Sequence, residues 1–177
     1  MIDGFEIATL AENDLFVSVL VQASQAALRT HKQEKRRYLR NAVINSALNI
    51  EIEHDLQPAF IRFIDELDAL HVTFMKFVAE ESALMNDHKQ VESYELVHAL
   101  YSKSYRHVNA PREAFELMIS DLKSRALIKV SKHVADYGEV YEQNLMALNQ
   151  TVEGPLFAVT SLGQKFLEFI TEHESLP

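Results

Sequence analysis

The chain contains no cysteine, which removes disulfides, thiolate metal sites and cysteine nucleophiles from its chemistry. That composition fits a reducing compartment. Glycine is scarce: there are four, where average usage would give about twelve. Gly4, Gly138, Gly154 and Gly163 are too scattered for a dinucleotide fingerprint or a P-loop, both of which cluster glycines so that backbone N–H groups approach phosphate. Nucleotide chemistry of those two kinds is excluded. Long apolar runs are also absent. The longest are a few residues, far short of the roughly 20 that span a bilayer. The opening residues Met1-Ile2-Asp3-Gly4-Phe5-Glu6 are acidic and lack the basic start of a signal peptide. The expected location is therefore cytoplasmic, with no membrane partner. Positive charge is in deficit as well: 17 basic against 26 acidic residues leave a net charge of −9, which opposes non-specific attraction to nucleic acid or anionic lipid.

What is present is 177 residues, 47% hydrophobic and 24% charged, the balance of a globular chain with room for one medium domain or two small ones. Residues 1–67 read as helices. Thr9-x-x-Glu12 has the form of a capping box. It is followed by Leu15, Phe16, Val19, Leu20, Ala23, Ala26 and Ala27 at helical spacing. Val17, Val21 and Leu28 widen that stripe until the helix is apolar around most of its circumference, so it wants contacts on two sides. A central core helix satisfies this, and so does a helix shared with a second subunit. In the second case Leu15, Phe16, Val17 and Val21 are interface candidates and the chain is a homo-oligomer, most simply a dimer.

Thr30-x-x-Gln33 has the form of a second capping box, opening a helix over about 32–48 with Leu39, Ala42, Val43, Ser46 and Ala47 inward. Around its start stand Arg29, Lys32, Lys35, Arg36, Arg37 and Arg40, six cations in twelve residues, against the single acid Glu34. Cations at a helix N-terminus oppose the dipole, so helix stability does not explain them. They form either a solvated face paired with acids elsewhere in the chain or a contact for an anionic partner. Asp55 is expected to open a third helix with Pro58 in its first turn, where a missing N–H costs little. Its inward residues are Phe60, Ile61, Ile64 and Leu67.

From residue 68 the pattern changes. Helices are expected over 69–80 (Leu70, Phe74, Phe77, Val78 inward), 92–103 (Leu96, Val97, Leu100) and up to about Ala126. The last is capped by Asn109 with Pro111 just inside, and has Phe115, Met118, Ile119, Leu122 and Leu127 on its core side. Residues 128–132 alternate as a strand does. A second strand over 156–159 runs into Thr160, which caps a last helix bearing Leu162, Phe166, Phe169 and Ile170. Between the strands lie 133–154, long for a hairpin loop, with a short helix expected over 141–150.

Two passages carry a resemblance: Phe115-x-x-Met118-Ile119-x-x-Leu122-x-x-x-Ala126-Leu127-Ile128, and Phe157-x-Val159-Thr160-x-Leu162-Gly163-x-x-Phe166-Leu167-x-Phe169-Ile170. They resemble the recognition helix with its first strand, and the entry to the helix after the wing, in bacterial winged-helix proteins. The long wing departs from that pattern. The N-terminal passage around Thr30, Glu34-Lys35 and 39–47, with Leu70-His71, resembles bacterial proteins that join a helical module to a winged helix. The expected fold is therefore mainly α: a helical module, 1–67, followed by a winged helix-turn-helix with a small β-hairpin, 68–177.

That resemblance implies DNA as a partner, through the helix after Pro111 entering the major groove. Charge points the other way. From Asp68 onward there are 10 basic and 16 acidic residues. In the helix after Pro111, Arg112, Lys123 and Arg125 are balanced by Glu113, Glu116 and Asp121, and the wing holds Asp136, Glu139, Glu142 and Glu153. Carboxylates facing phosphate subtract from counterion release. DNA contact through Arg112, Lys123 and Arg125, compensated by the cluster from Arg29 to Arg40, is the second expectation. Protein contact or self-association is the first, with Tyr137 and Tyr141 of the wing as further anchor candidates. Tyr94, Tyr101 and Tyr105 share one face of their helix and are read as packing.

Glu51-x-x-His54, Asp68-x-x-His71 and Glu95-x-x-His98 have the spacing of helical di-iron ligands. The first falls in a connector and no further inward glutamates accompany them, so surface or helix-end roles are expected. His107 and His133 are likewise read as surface residues. No Gly-x-Ser-x-Gly elbow is present. The expectation is a protein without enzymatic activity or cofactor.

Overall fold

Asn13 starts the architecture: its Oδ1 accepts from Phe16 N at 3.1 Å and opens α2 in the computed structural model of the chain, which describes residues 7–48, 52–85, 101, 111–130 and 157–172. The elements in order are α1 (Ile7–Ala11), α2 (Asp14–Arg29), α3 (Gln33–Ala47), α4 (Leu56–Glu66), α5 (Ala69–Met85), α6 (Arg112–Ser124), β1 (Ile128–Val130), β2 (Phe157–Val159) and α7 (Ser161–Ile170). The described residues are thus mainly helical, with one small two-stranded antiparallel sheet.

Neither expected capping box forms. Thr9 lies inside α1, and Asn13, whose short side chain reaches the first turn, takes the cap of α2. Thr30 ends α2 rather than opening α3: its Oγ1 accepts from Lys32 N at 3.2 Å, and its carbonyl accepts from Arg36 Nε at 3.0 Å. Lys32 stands at the cap of α3 with no side-chain cap bond. Asp55 precedes α4 as expected but likewise makes no side-chain cap bond. The helix expected over 69–80 runs on to Met85, because Glu81-Ser82-Ala83-Leu84-Met85 offers helix formers and no breaker.

Two compact units result, one comprising residues 1–69 and 165–177, the other 70–164. The closing stretch, which the sequence places with the second module, packs in the first unit. In that unit α2 packs on α3 and α4, and α3 packs on α4. Val19, Ala23, Ala26, Leu39, Ala42, Phe60, Ile61 and Ile64 are buried together with Phe166, Leu167, Phe169 and Ile170. Phe60 meets Phe166 edge-on at 5.4 Å and, tilted, Phe169 at 5.7 Å. The same unit holds a buried polar set. Asn41 Nδ2 donates to Ile170 O at 3.0 Å, and Asn45 Nδ2 lies within 3.2 Å of the carbonyls of Glu168, Phe169 and Thr171. Two asparagines one turn apart on α3 therefore satisfy the free carbonyls at the C-terminus of α7. Ser46 Oγ donates to Gln57 Oε1 at 2.7 Å, tying α3 to α4.

In the second unit Phe74 stands at the centre, edge-on to Tyr101 (5.3 Å), Phe115 (5.3 Å) and Phe157 (5.7 Å). Such pairs add about 0.5–1.5 kcal/mol each to the area they bury. Val72, Met75, Phe77 and Val78 complete the buried side of α5. Leu70, expected inward, is 40% exposed at the helix start. The core side of α6 is as expected: Phe115, Met118, Ile119, Leu122 and Leu127 are all buried. β1 and β2 pair antiparallel, Ile128 with Val159 and Val130 with Phe157. Thr160 Oγ1 accepts from Gly163 N at 2.9 Å and so caps α7, as the sequence anticipates. The expected helix over 92–103 (Tyr101 apart), the wing over 133–154 and its short helix lie outside the described residues.

Candidate functional site

Helix α2 carries no charge between Asp14 and Arg29, fourteen consecutive uncharged residues in a chain that is 24% charged. Its buried residues Val19, Ala23 and Ala26 lie along one side. At 3.6 residues per turn, Val17, Val21, Ser24 and Leu28 fall within about 60° of one another on the opposite side. Those positions face water. Val17 is 38%, Val21 49% and Leu28 87% exposed, and Leu20 beside them is 39% exposed. Leu20, read from the sequence as a core position, belongs instead to this outer face: the side of α2 that packs on α3 and α4 is already filled by smaller residues. Of the interface candidates, Val17 and Val21 are exposed while Leu15 and Phe16 are half-buried. Tyr137 and Tyr141 lie outside the described residues. Neutral polar side chains, Ser18, Gln22 and Gln25, flank the stripe on one side, and Gln22 Nε2 donates to Ser18 Oγ at 3.0 Å.

The basic cluster is occupied within its own unit. Arg29 pairs with Asp65 at 2.6 Å, Lys32 with Asp68 at 2.6 Å and Arg40 with Glu172 at 3.2 Å. Lys35 is buried and donates to Asp65 O at 2.8 Å. Arg36 holds Thr30 O, and the Arg37 guanidinium sits 5.7 Å from the Tyr38 ring centre. These exposed pairs each contribute little to stability, yet together they turn Arg29, Lys32 and Arg40 toward acids of the chain.

The outward side of α6 presents Glu113, Glu116, Leu117, Ser120 and Lys123, with Leu117 64% exposed. Arg125 turns back onto Asp121, Nη1 lying 3.7 Å from Oδ1, and Asp121 Oδ2 lies 3.5 Å from His71 Nε2. The side chain of Arg112 is outside the described set. Asp68 and His71, three apart in sequence, face different partners, Lys32 and Asp121. His54 is exposed, and Glu51, Glu95, His98, His107 and His133 lie outside the described residues. Among the described residues no group of three or more histidines and carboxylates is placed to hold a metal, and no helix is long and apolar enough to cross a membrane.

The hydrogen bond from Lys165 Nζ, then the backbone bond at Glu53 itself, hold the exposed Glu53 carboxyl below its ordinary value. Leu117 as a surface apolar residue is not singled out by periodicity. For α2 the readable signal is the uncharged stretch itself, because a helix face left in water normally carries charge. Comparison with known proteins finds no match: no family model, no curated protein and no solved structure aligns with the chain.

Proposed function

We propose that this is a non-enzymatic interaction or regulatory protein acting by protein–protein contact, with the outer face of α2 as the contact surface and a C-terminal half built on winged-helix lines. The observation that carries the reading is the stripe Val17, Leu20, Val21 and Leu28, exposed on a helix with no charge between its ends. The largest apolar patch on a protein surface is often functional. The test is the apparent size of the tagged chain in an extract of its own cells. Val21→Glu and Leu28→Glu, each checked for an unchanged circular dichroism spectrum, should lower that size. Equal sizes for wild type and both variants would end the reading.

A second reading, DNA binding, is supported by the order α6, β1, β2, α7 and by the Thr160 cap. Against it stand the two glutamates and the leucine on the outward side of α6 and the internal pairing of the basic cluster. Retardation of a duplex at low salt by micromolar protein would promote this reading. No retardation would remove it.

A further inference from the structure

Resting on the reading of the α2 face as a contact surface, we propose that its occupant is a second copy of this chain, bound with the two α2 helices antiparallel about a two-fold axis. Three observations select that partner. First, the stripe complements itself in reverse. An axis passing between Gln22 and Ala23 sets Val17 against Leu28 and Val21 against the small Ser24, so a large side chain meets a small one beside the axis. A two-fold interface needs a patch that matches its own reverse.

Second, the ends of α2 are of opposite sign: Asp14 opens the helix and Arg29 closes it. Both flank the stripe on the same side, so the antiparallel arrangement brings Asp14 of each copy toward Arg29 of the other and opposes the helix dipoles. Arg29 is 63% exposed and keeps further N–H donors beside its bond to Asp65. Parallel pairing would stack like charges at both ends. Third, each copy carries a net charge of −9, and the fourteen uncharged residues of α2 form a surface on which two such copies meet with little local repulsion. The exposed parts of these four aliphatic side chains fall well short of the about 800 Å² per partner in an interface of standard size. The rim therefore includes Ser18, Gln22, Gln25 and the Asp14 and Arg29 ends.

The absence of cysteine makes the test direct, since any introduced thiol is the only one in its chain. Purified protein is followed by sedimentation velocity from about 1 to about 100 μM, and Val17→Cys and Leu28→Cys proteins are oxidised singly and mixed. The expected result is a dimer whose mixed Val17→Cys and Leu28→Cys sample forms the disulfide while Val17→Cys alone does not. Val21→Glu should raise the dimer dissociation constant at least about 30-fold. Leu28→Glu, at a position that is mostly in water in the single chain, should do the same and covers the case in which Val21→Glu disturbs folding. A strict monomer overturns the proposal, as does a dimer unaffected by both variants, or disulfides formed by Val17→Cys with itself but not with Leu28→Cys. If the purified chain is monomeric while its size in extract still falls with Val21→Glu and Leu28→Glu, the second copy is wrong and the contact face stands.

Discussion

Ala126 has a backbone φ of 56° and occupies a place usually given to glycine. It follows Arg125, the cap of α6; its N–H donates to Lys123 O at 3.0 Å, and Leu127 N donates to Leu122 O at 3.0 Å. That double bond is the Schellman arrangement, with Leu122 and Leu127, both fully buried, as its apolar pair. The sequence reading carries the helix to about Ala126. The chain instead turns left-handed there, since this brings Leu127 back onto the core. A Cβ in the left-handed region is strained by about 1–2 kcal/mol, and glycine loses part of that gain to its own chain entropy. Ala126→Gly should therefore stabilise the protein by about 0.5–1 kcal/mol, read as a higher urea midpoint. An unchanged or lower midpoint would contradict the account. Gly163 shows the reverse logic: a Cβ there would sit 2.1 Å from Leu127 O and 2.8 Å from Val159 Cγ1, so the residue is needed for close approach.

Between elements, the closing helix is held by polar groups from α3 as well as by phenylalanines. Asn45 donates to backbone carbonyls at the end of α7. Asn45→Asp keeps the shape but sets acceptor against acceptor in a buried place, and should cost at least about 3 kcal/mol in urea unfolding. A loss under about 1 kcal/mol would show that water can replace these bonds. The link from Lys165 of α7 to Glu53, just ahead of α4, belongs to the same unit. Because folding lowers the Glu53 pKa, its contribution is present above the ordinary carboxyl range and is lost as pH falls through the folded value. Glu53→Gln should thus lower the urea midpoint slightly at neutral pH, and the difference from wild type should vanish in acid. A difference that persisted or grew in acid would reverse the sign.

For the whole molecule, the net charge of −9 separates the two modes of association. Two copies of an acidic chain repel at long range, and salt screens that repulsion. Contact with a polyanion weakens with salt instead, through lost counterion release. Dimerisation through α2 should therefore strengthen between about 0.05 M and about 0.5 M salt, as followed by sedimentation. Weakening over that range would place attractive charge, rather than apolar burial, at the centre of the contact.

The sequence by itself determined most of the element types. Spacings of three and four mark α2, α3, α4 and α6, a short alternating run marks β1, a short apolar run marks β2, and Thr160 with Gly163 marks the start of α7. These signals are local, set by dihedral preference and by which side of a helix meets apolar neighbours. Tertiary structure alone decided where α7 packs and which apolar face of α2 is covered. Leu20 and Val19 are equally apolar in sequence, yet Val19 is buried and Leu20 is not, because α3 and α4 cover only one side of that helix. Asn41 and Asn45 read as polar positions on a basic helix until the carbonyls of α7, more than 120 residues later, arrive as their partners. Burial and long-range hydrogen bonding depend on what the fold places opposite a residue, and local spacing carries no record of that.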